Sequence, residues 1–279
     1  MTENALTLVL GGTGKTGRRV VRRLTGRDEP VRIGSRAGGV PFDWEDQATW
    51  MPALRDVTAA YVSYYPDLAA PGAPERIGAF AAQAVSAGVR RLVLLSGRGE
   101  EEARASEKEL QASGADWTVL RCSWFAQNFS EDYLLDPVLA GQVVLPAGDV
   151  GEPFIDAEDI ADVAVAALTG EGHTGRTYEL TGPRLMTFAG AVSEIAAATG
   201  RPIGYAQVSA ADHAAALQEH GVPLEVVELL TYLFTTVLDG RNAVLGDGVQ
   251  RVLGRPARDF TEYARDAAKA GAWNQKFAR

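Results

Sequence analysis

Several things are scarce in this 279-residue chain. It has one cysteine, Cys122, three histidines far apart at positions 173, 213 and 220, and four lysines against 23 arginines. A single cysteine excludes an internal disulfide. Scattered histidines leave nothing with metal-ligand spacing, so no metal site is expected. No apolar run approaches the roughly 18 residues that cross a bilayer, and no basic leader precedes an apolar core, so no membrane role and a cytoplasmic location are expected. The charge balance is 27 basic against 36 acidic residues, net −9, with no lysine–arginine block. Nucleic acid is therefore not expected as a partner.

What is present is concentrated at Leu6–Gly17, LTLVLGGTGKTG. The apolar run 6–10 reads as a buried strand. Gly11, Gly14 and Gly17 follow at steps of three, and Val20, Val21 and Leu24 then mark a helix face. Strand, glycine turn and helix together are the context in which such glycines mean a dinucleotide site. They allow a tight turn, close approach of backbone N–H groups to a pyrophosphate, and a helix N-terminus facing negative charge. The expected cradle is Gly11, Gly12, Thr13, Gly14, Lys15, Thr16 and Gly17. Gly14-Lys15-Thr16 also resembles the tail of a triphosphate-binding loop. That motif needs a glycine where Val9 stands, inside the strand, so the spacing rejects it.

A second strand, 31–36, ends about 20 residues further on, where an NAD site usually places an acid. Here the residues are Ser35 and Arg36, a hydroxyl and a guanidinium suited to a 2′-phosphate, which favours NADP(H). Further strands are predicted at 59–64, 91–95 and 117–120. They alternate with helices at 77–87 and 103–113. Repeated βα units predict a parallel, doubly wound α/β sheet of the Rossmann type. Ligands on such sheets lie beyond the strand C-termini, which brings Ser63, Tyr64, Ser96 and Cys122 into the same crevice as the glycine turn. Beyond residue 124 the rhythm changes. Helices are predicted over 125–139, with 157–169, 187–199 and 222–238. The division expected is 1–124 for the cofactor-binding core and 125–279 for one or two more strands plus a smaller, mainly helical substrate lobe.

Many short-chain reductases protonate a carbonyl through a Tyr with Lys four residues on. None of the eight tyrosines here has that lysine. The helix where the pair belongs carries Glu100, Arg104, Glu107 and Lys108, a pattern that reads as a solvated charged face. Three explanations follow from this: the electrophile is already activated, another group donates the proton, or the protein binds cofactor without chemistry.

The segments GGTGKTG (11–17), FDWEDQATW (42–50), VRRLVLLSG (89–97), WTVLRCSWFAQNFSE (117–131), PFIDAEDIADVAVAAL (153–168) and GRPARDFTEYA (254–264) together resemble the NmrA-like, atypical short-chain dehydrogenase/reductase proteins. The branch most similar is that of the fungal ergot-alkaloid reductases such as festuclavine dehydrogenase. Two departures are Cys122, where that branch usually has proline, and Gly97-Arg98-Gly99-Glu100, where it tends to have small residues and a lysine. The resemblance implies an NADP(H)-dependent reductase of an iminium or activated enone in secondary metabolism. A C=N⁺ carbon accepts hydride without prior protonation, consistent with the missing pair. The resemblance makes Tyr64, Trp124, Phe125 and Phe129 candidate aromatic walls for substrate, and Asn128 and Ser96 candidate polar anchors near the nicotinamide. Ser96, Lys108 and Asn128 are the candidates for proton handling. The alternatives are a quinone reductase on the same cofactor site, or a non-catalytic NADP(H)-sensing regulator. A small-molecule substrate and a monomer or homodimer are expected.

Overall fold

The computed structural model describes residues 6–274. The chain divides into two compact units: Met1–Cys122, Ala157–Leu180 and Asp247–Arg255 form the first, and Ser123–Asp156, Thr181–Gly246 and Pro256–Arg279 the second. A single cut near residue 124 is thus replaced by interleaving. The chain leaves the first unit after Cys122 and returns to it twice.

The first unit is a seven-stranded sheet. Its strands are β1 (Leu6–Leu10), β2 (Val31–Ser35), β3 (Val40–Pro41), β4 (Val57–Val62), β5 (Arg91–Gly97), β6 (Asp116–Cys122) and, from the first return, β8 (Arg176–Leu180). The order is β3-β2-β1-β4-β5-β6-β8, and every pairing is parallel. Its helices are α1 (Gly17–Thr25), α2 (Trp50–Leu54), α3 (Ala73–Ser86), α4 (Glu101–Ala112), α7 (Ala157–Thr169) and α11 (Gly248–Leu253). Central strands β1, β4 and β5 read as near-continuous apolar runs because a parallel sheet is covered on both faces. Leu8, Val9, Leu10, Ala60, Tyr61, Val62, Leu92, Val93 and Leu94 are all fully buried. FDWEDQATW folds beside them. Trp44 packs edge-on against Phe42 and Trp50, Phe42 and Trp50 are stacked, and all three meet Phe80 of α3 edge-on, closing one core cluster.

The second unit contains α5 (Asn128–Glu131), α6 (Leu135–Ala140), β7 (Gln142–Leu145), α8 (Phe188–Thr199), β9 (Gly204–Gln207), α9 (Ala210–Glu219), α10 (Leu224–Tyr232) and α12 (Phe260–Lys269). The helix expected over 125–139 is in fact two short ones, since Asp132 takes an extended conformation between them. The two-stranded parallel sheet β7–β9 went unanticipated. So did the π-helical turn Leu233–Val237, which ends α10. The core here is aromatic: Phe129, Phe154, Phe188 and Phe260 meet ring to ring with centroids 5.0–6.0 Å apart.

Candidate functional site

The glycine turn forms as the sequence predicts, and each glycine has its own reason. Gly11 ends β1 at φ +64°, the left-handed region that glycine enters without steric cost. Its N–H donates to Gly34 O, 3.0 Å away, tying the turn to β2. A Cβ on Gly17 would lie 2.1 Å from Gly11 O, so only glycine lets α1 start this close to β1. At Gly14 the nearest obstacle to a Cβ is Gly11 O at 3.2 Å, and the position is exposed. The room above Gly14 is therefore not claimed by the protein. Arg19 secures the turn from below: NH1 donates to Lys15 O (2.7 Å) while Nε pairs with Glu158 on α7 (2.7 Å). Burial alone would raise the Glu158 pKa, but hydrogen bonds from Arg23 and Arg19 outweigh it and hold that carboxyl at about 2.

Around this turn the parallel strands deliver their C-terminal residues to one edge of the sheet. Ser35 ends β2 with its hydroxyl buried and, among the described residues, without a hydrogen-bond partner. Arg36 follows, exposed, its guanidinium 5.2 Å from the centroid of the Tyr65 ring. An orphaned hydroxyl beside an exposed guanidinium, next to a glycine cradle and the N-terminus of the nine-residue α1, fits the adenosine ribose and diphosphate of a nicotinamide dinucleotide. Ser63, past the end of β4, faces Gly11, where an added Cβ would come within 3.4 Å of its hydroxyl.

Beyond β5 and β6 the reading of the sequence needs correction. Glu100 and Glu107 are not on a solvated face; both are buried. Glu107 accepts from Ser96 Oγ (2.7 Å) and from Arg121, with Nε 2.8 Å and NH2 2.5 Å away. Arg121 continues to Glu179 (3.2 Å), which holds Arg98 (2.6 Å). Five side chains, four from β5, α4, β6 and β8 and Arg98 just past β5, thus form one chain of charge-assisted bonds. Ser96, the expected anchor near the nicotinamide, donates its hydroxyl hydrogen bond to Glu107. Lys108 is exposed on α4 beside Arg104. The signal for Glu107 was available: Ala103, Ser106, Glu107 and Leu110 share one helix face at i, i+3, i+4 and i+7, and all are buried.

Past the same strand ends lie Asp67 and Glu100. Glu100 Oε1 occupies the place a Gly97 Cβ would take, at 2.0 Å, so that glycine is needed. Burial raises the Glu100 pKa well above the ordinary range, and the facing Asp67 carboxyl adds to the shift through its charge and its hydrogen bond. Burial also raises Asp67, against a backbone hydrogen bond from Ala69 and the charge of Lys15. Two carboxyls in this arrangement hold a proton that isolated ones would release. Cys122, at the end of β6, is buried, and burial pushes its thiol well up, with Glu179 reinforcing the shift.

Tyr64 is nearly buried, its ring 4.9 Å from Trp44, and belongs to the core cluster. In the second unit, Phe129 is fully buried among Phe154, Phe188 and Phe260, so it is core and not a wall. Trp124, Phe125 and Asn128 remain partly exposed. The Trp124 ring rests against Phe188 and Phe234, 5.1 and 4.9 Å away. Main-chain bonds between 124–126 and Ile155 hold this segment in place.

The sequence matches the NAD(P)H-binding family over residues 11–171, more than half of the chain. The chain belongs to that family. One relative in Streptomyces griseus, (4-alkanoyl-5-oxo-2,5-dihydrofuran-3-yl)methyl phosphate reductase, is 33% identical over 95% of this chain and 99% of its own. Agroclavine dehydrogenase of Claviceps fusiformis is 30% identical, covering 93% and 96% respectively. Among solved structures, the NADPH complex of an Escherichia coli NADPH-dependent quinone oxidoreductase superposes with a TM-score of 0.78 at 23% identity, covering 93% of this chain and 99% of that one. That likeness concerns the fold. Membership makes this an NAD(P)H-binding chain of an oxidoreductase family. No described helix is long and apolar enough to cross a membrane.

Proposed function

We propose that the protein is an NADPH-dependent reductase that delivers hydride to a polarised double bond of a small molecule, an iminium or an activated enone. The observation that carries the reading is the conjunction at one sheet edge of an open glycine cradle with an orphaned Ser35 hydroxyl and an exposed Arg36. When bound, the dihydronicotinamide supplies the hydride. The chain's own contribution is to hold the dinucleotide through residues 11–17, Ser35 and Arg36, and to present substrate through the second unit. Trp124 and Phe125 serve there as partly exposed aromatic surface and Asn128 as a polar contact. Near-attack placement of the acceptor carbon supplies most of the acceleration.

The absent Tyr–Lys pair supports an acceptor that is already charged or strongly activated. The relatives' names support the same two classes, since one is a clavine dehydrogenase and another acts on an acyl-bearing oxo-dihydrofuran. The enone has an additional observation in its favour. Its reduction needs a proton on carbon, and Asp67 and Glu100, whose carboxyls are both raised by burial, are the acids that would supply it. The test is NADPH oxidation with a preformed cyclic iminium, an acyl butenolide and a quinone. Turnover of either of the first two, with little of the third, is the expected outcome. Preference for the quinone would move the assignment to that class. Tight NADPH binding with no turnover on a broad panel would replace the enzyme by a sensor.

A further inference from the structure

The second unit is strongly acidic, with fifteen carboxylates against six cations among its described residues. Three of the six are paired: Arg184 with Glu194 and Asp259, Arg241 with Asp239, and Arg258 with Asp156 and Asp266. The other three, Arg201, Arg265 and Lys269, line a single open cavity of about 310 Å³. No carboxylate is among its described lining residues. Thr199, Asn274 and the indole of Trp273 complete much of the wall.

Structural needs account for part of this. Arg201 donates to the main-chain oxygens of Leu139 (2.8 Å) and Trp273 (3.0 Å). Lys269 stands in the last turn of α12, where a cation suits the helix dipole. Neither need explains Arg265. It lies four residues before Lys269 on the same helix face, a spacing at which like charges repel. In a unit with so large an excess of carboxylates, three cations gather on one cavity whose described lining includes no carboxylate, although Glu262 and Asp266 share their helix; a bound anion offsets that concentration of charge.

We propose that this cavity binds a small multivalent oxyanion of the phosphate class, free or as a monoester. The Arg265 guanidinium offers a planar N–H fork to its oxygens, and Arg201, held by its two main-chain bonds, and the Lys269 ammonium add positive charge. The cavity has the volume of a small ligand pocket. The site is independent of the reductase reading, because every residue in it belongs to the second unit.

The experiment is calorimetric or phosphorus-31 NMR titration of the full chain with inorganic phosphate, glycerol phosphate and citrate at constant ionic strength. Each titration is run with and without saturating NADP⁺, which occupies the other phosphate-binding region. One saturable site with a Kd of about 0.1–1 mM is expected, unchanged by NADP⁺. Arg265→Gln and Lys269→Gln, both at exposed positions, should each weaken it about tenfold and leave NADP⁺ affinity unaltered. Tighter binding of the monoester than of inorganic phosphate would mark a metabolite as the source. The reverse order would mark the free ion. Citrate binding more tightly than either phosphate would overturn the phosphate assignment. The proposal as a whole falls if no site saturates below about 10 mM, if both variants bind like the wild type, or if NADP⁺ abolishes binding.

Discussion

The two units hold themselves together by different means. In the first, charged groups do much of the fastening close to the ligand-bearing edge of the sheet. Glu158 joins α7 to Arg19, Arg22 and Arg23 of α1, and Glu107 joins α4 to Arg121 and Ser96. In the second, the centre is a cluster of phenylalanines meeting mostly edge to face. The difference follows from what each must fix. A pyrophosphate cradle and a row of strand ends need atoms at set positions, and charge-assisted bonds are directional. An aromatic cluster fixes volume and shape, and holds no single group as tightly in angle.

The largest losses should come from breaking close packing in either unit. Phe188 is fully buried against Trp124, Phe129, Phe154 and Phe234, so Phe188→Ala should cost about 3–5 kcal/mol in chemical denaturation. In the first unit the counterpart is Gly17→Ala. Its methyl would meet backbone at Gly11 O and Gly12 Cα, which cannot swing aside, at a cost of roughly 3 kcal/mol or more. Gly14→Val sharpens the contrast within one turn. It should leave the denaturation midpoint near the wild type and abolish NADPH binding in a fluorescence titration. A Gly14→Val protein that still binds NADPH would remove the cofactor from the turn.

Next in size is the polar network. Glu107→Gln removes the charge that Arg121 and Ser96 share, and should cost roughly 2–3 kcal/mol. That is below the range for fully buried pairs because Arg121 is a quarter exposed. A double variant, Glu107→Leu with Arg121→Met, should recover most of the loss. A Phe188→Ala cavity offers no such repair by charge removal. If the double variant is as unstable as the single one, the network is packing and not charge.

The first unit was the more legible in sequence because a parallel sheet covered on both faces writes apolar strands and amphipathic helices in strict alternation. The order of those runs predicts β1, β2, β4, β5 and β6 within about two residues. It misses β3, a two-residue edge. The glycine turn was legible because its steric demands allow one residue type. Glu107 was not, because a charged residue counts as solvated until the face it occupies is counted. Glu158 and Arg19 were not, because their partnership spans 139 positions. The second unit hid its small sheet for a similar reason: β7 and β9 are four residues each and pair across 58 positions of intervening chain.

Arg36→Ala tests the cofactor preference at smaller cost. It should weaken NADPH binding by about 1–3 kcal/mol and leave NADH nearly untouched, because the guanidinium has no role for a free 2′-hydroxyl. Titration of both cofactors against both proteins reads this directly. Equal losses would remove Arg36 from the 2′-phosphate.

The smallest effect expected is a slope in stability with pH, and its sign separates the carboxyl pair from every ion pair in the molecule. Glu158 and Asp259 are held at about 2, so their contribution is complete above the ordinary carboxylate range and is lost only as pH falls toward 2. Asp67 and Glu100 are shifted the other way, first by burial. The unfolded chain releases their protons in the ordinary carboxylate range while the fold still binds one. Stability must therefore fall as pH rises from that range through the raised value, by at most about 1.4 kcal/mol per pH unit for one proton. Lys15, Glu102 and Glu107 face the pair and set where the window closes. His173 and His213, lowered by burial, act with the opposite sign below the ordinary histidine range. The informative quantity is thus the difference between wild type and Glu100→Gln. The variant keeps the shape and removes the shared proton. Its stability relative to wild type should increase as pH rises above the ordinary carboxylate range in denaturant titrations. A constant difference over that rise would mean that the pair ionises like exposed carboxyls. The enone reading would then lose its proton source, and the pre-charged iminium would be the stronger assignment.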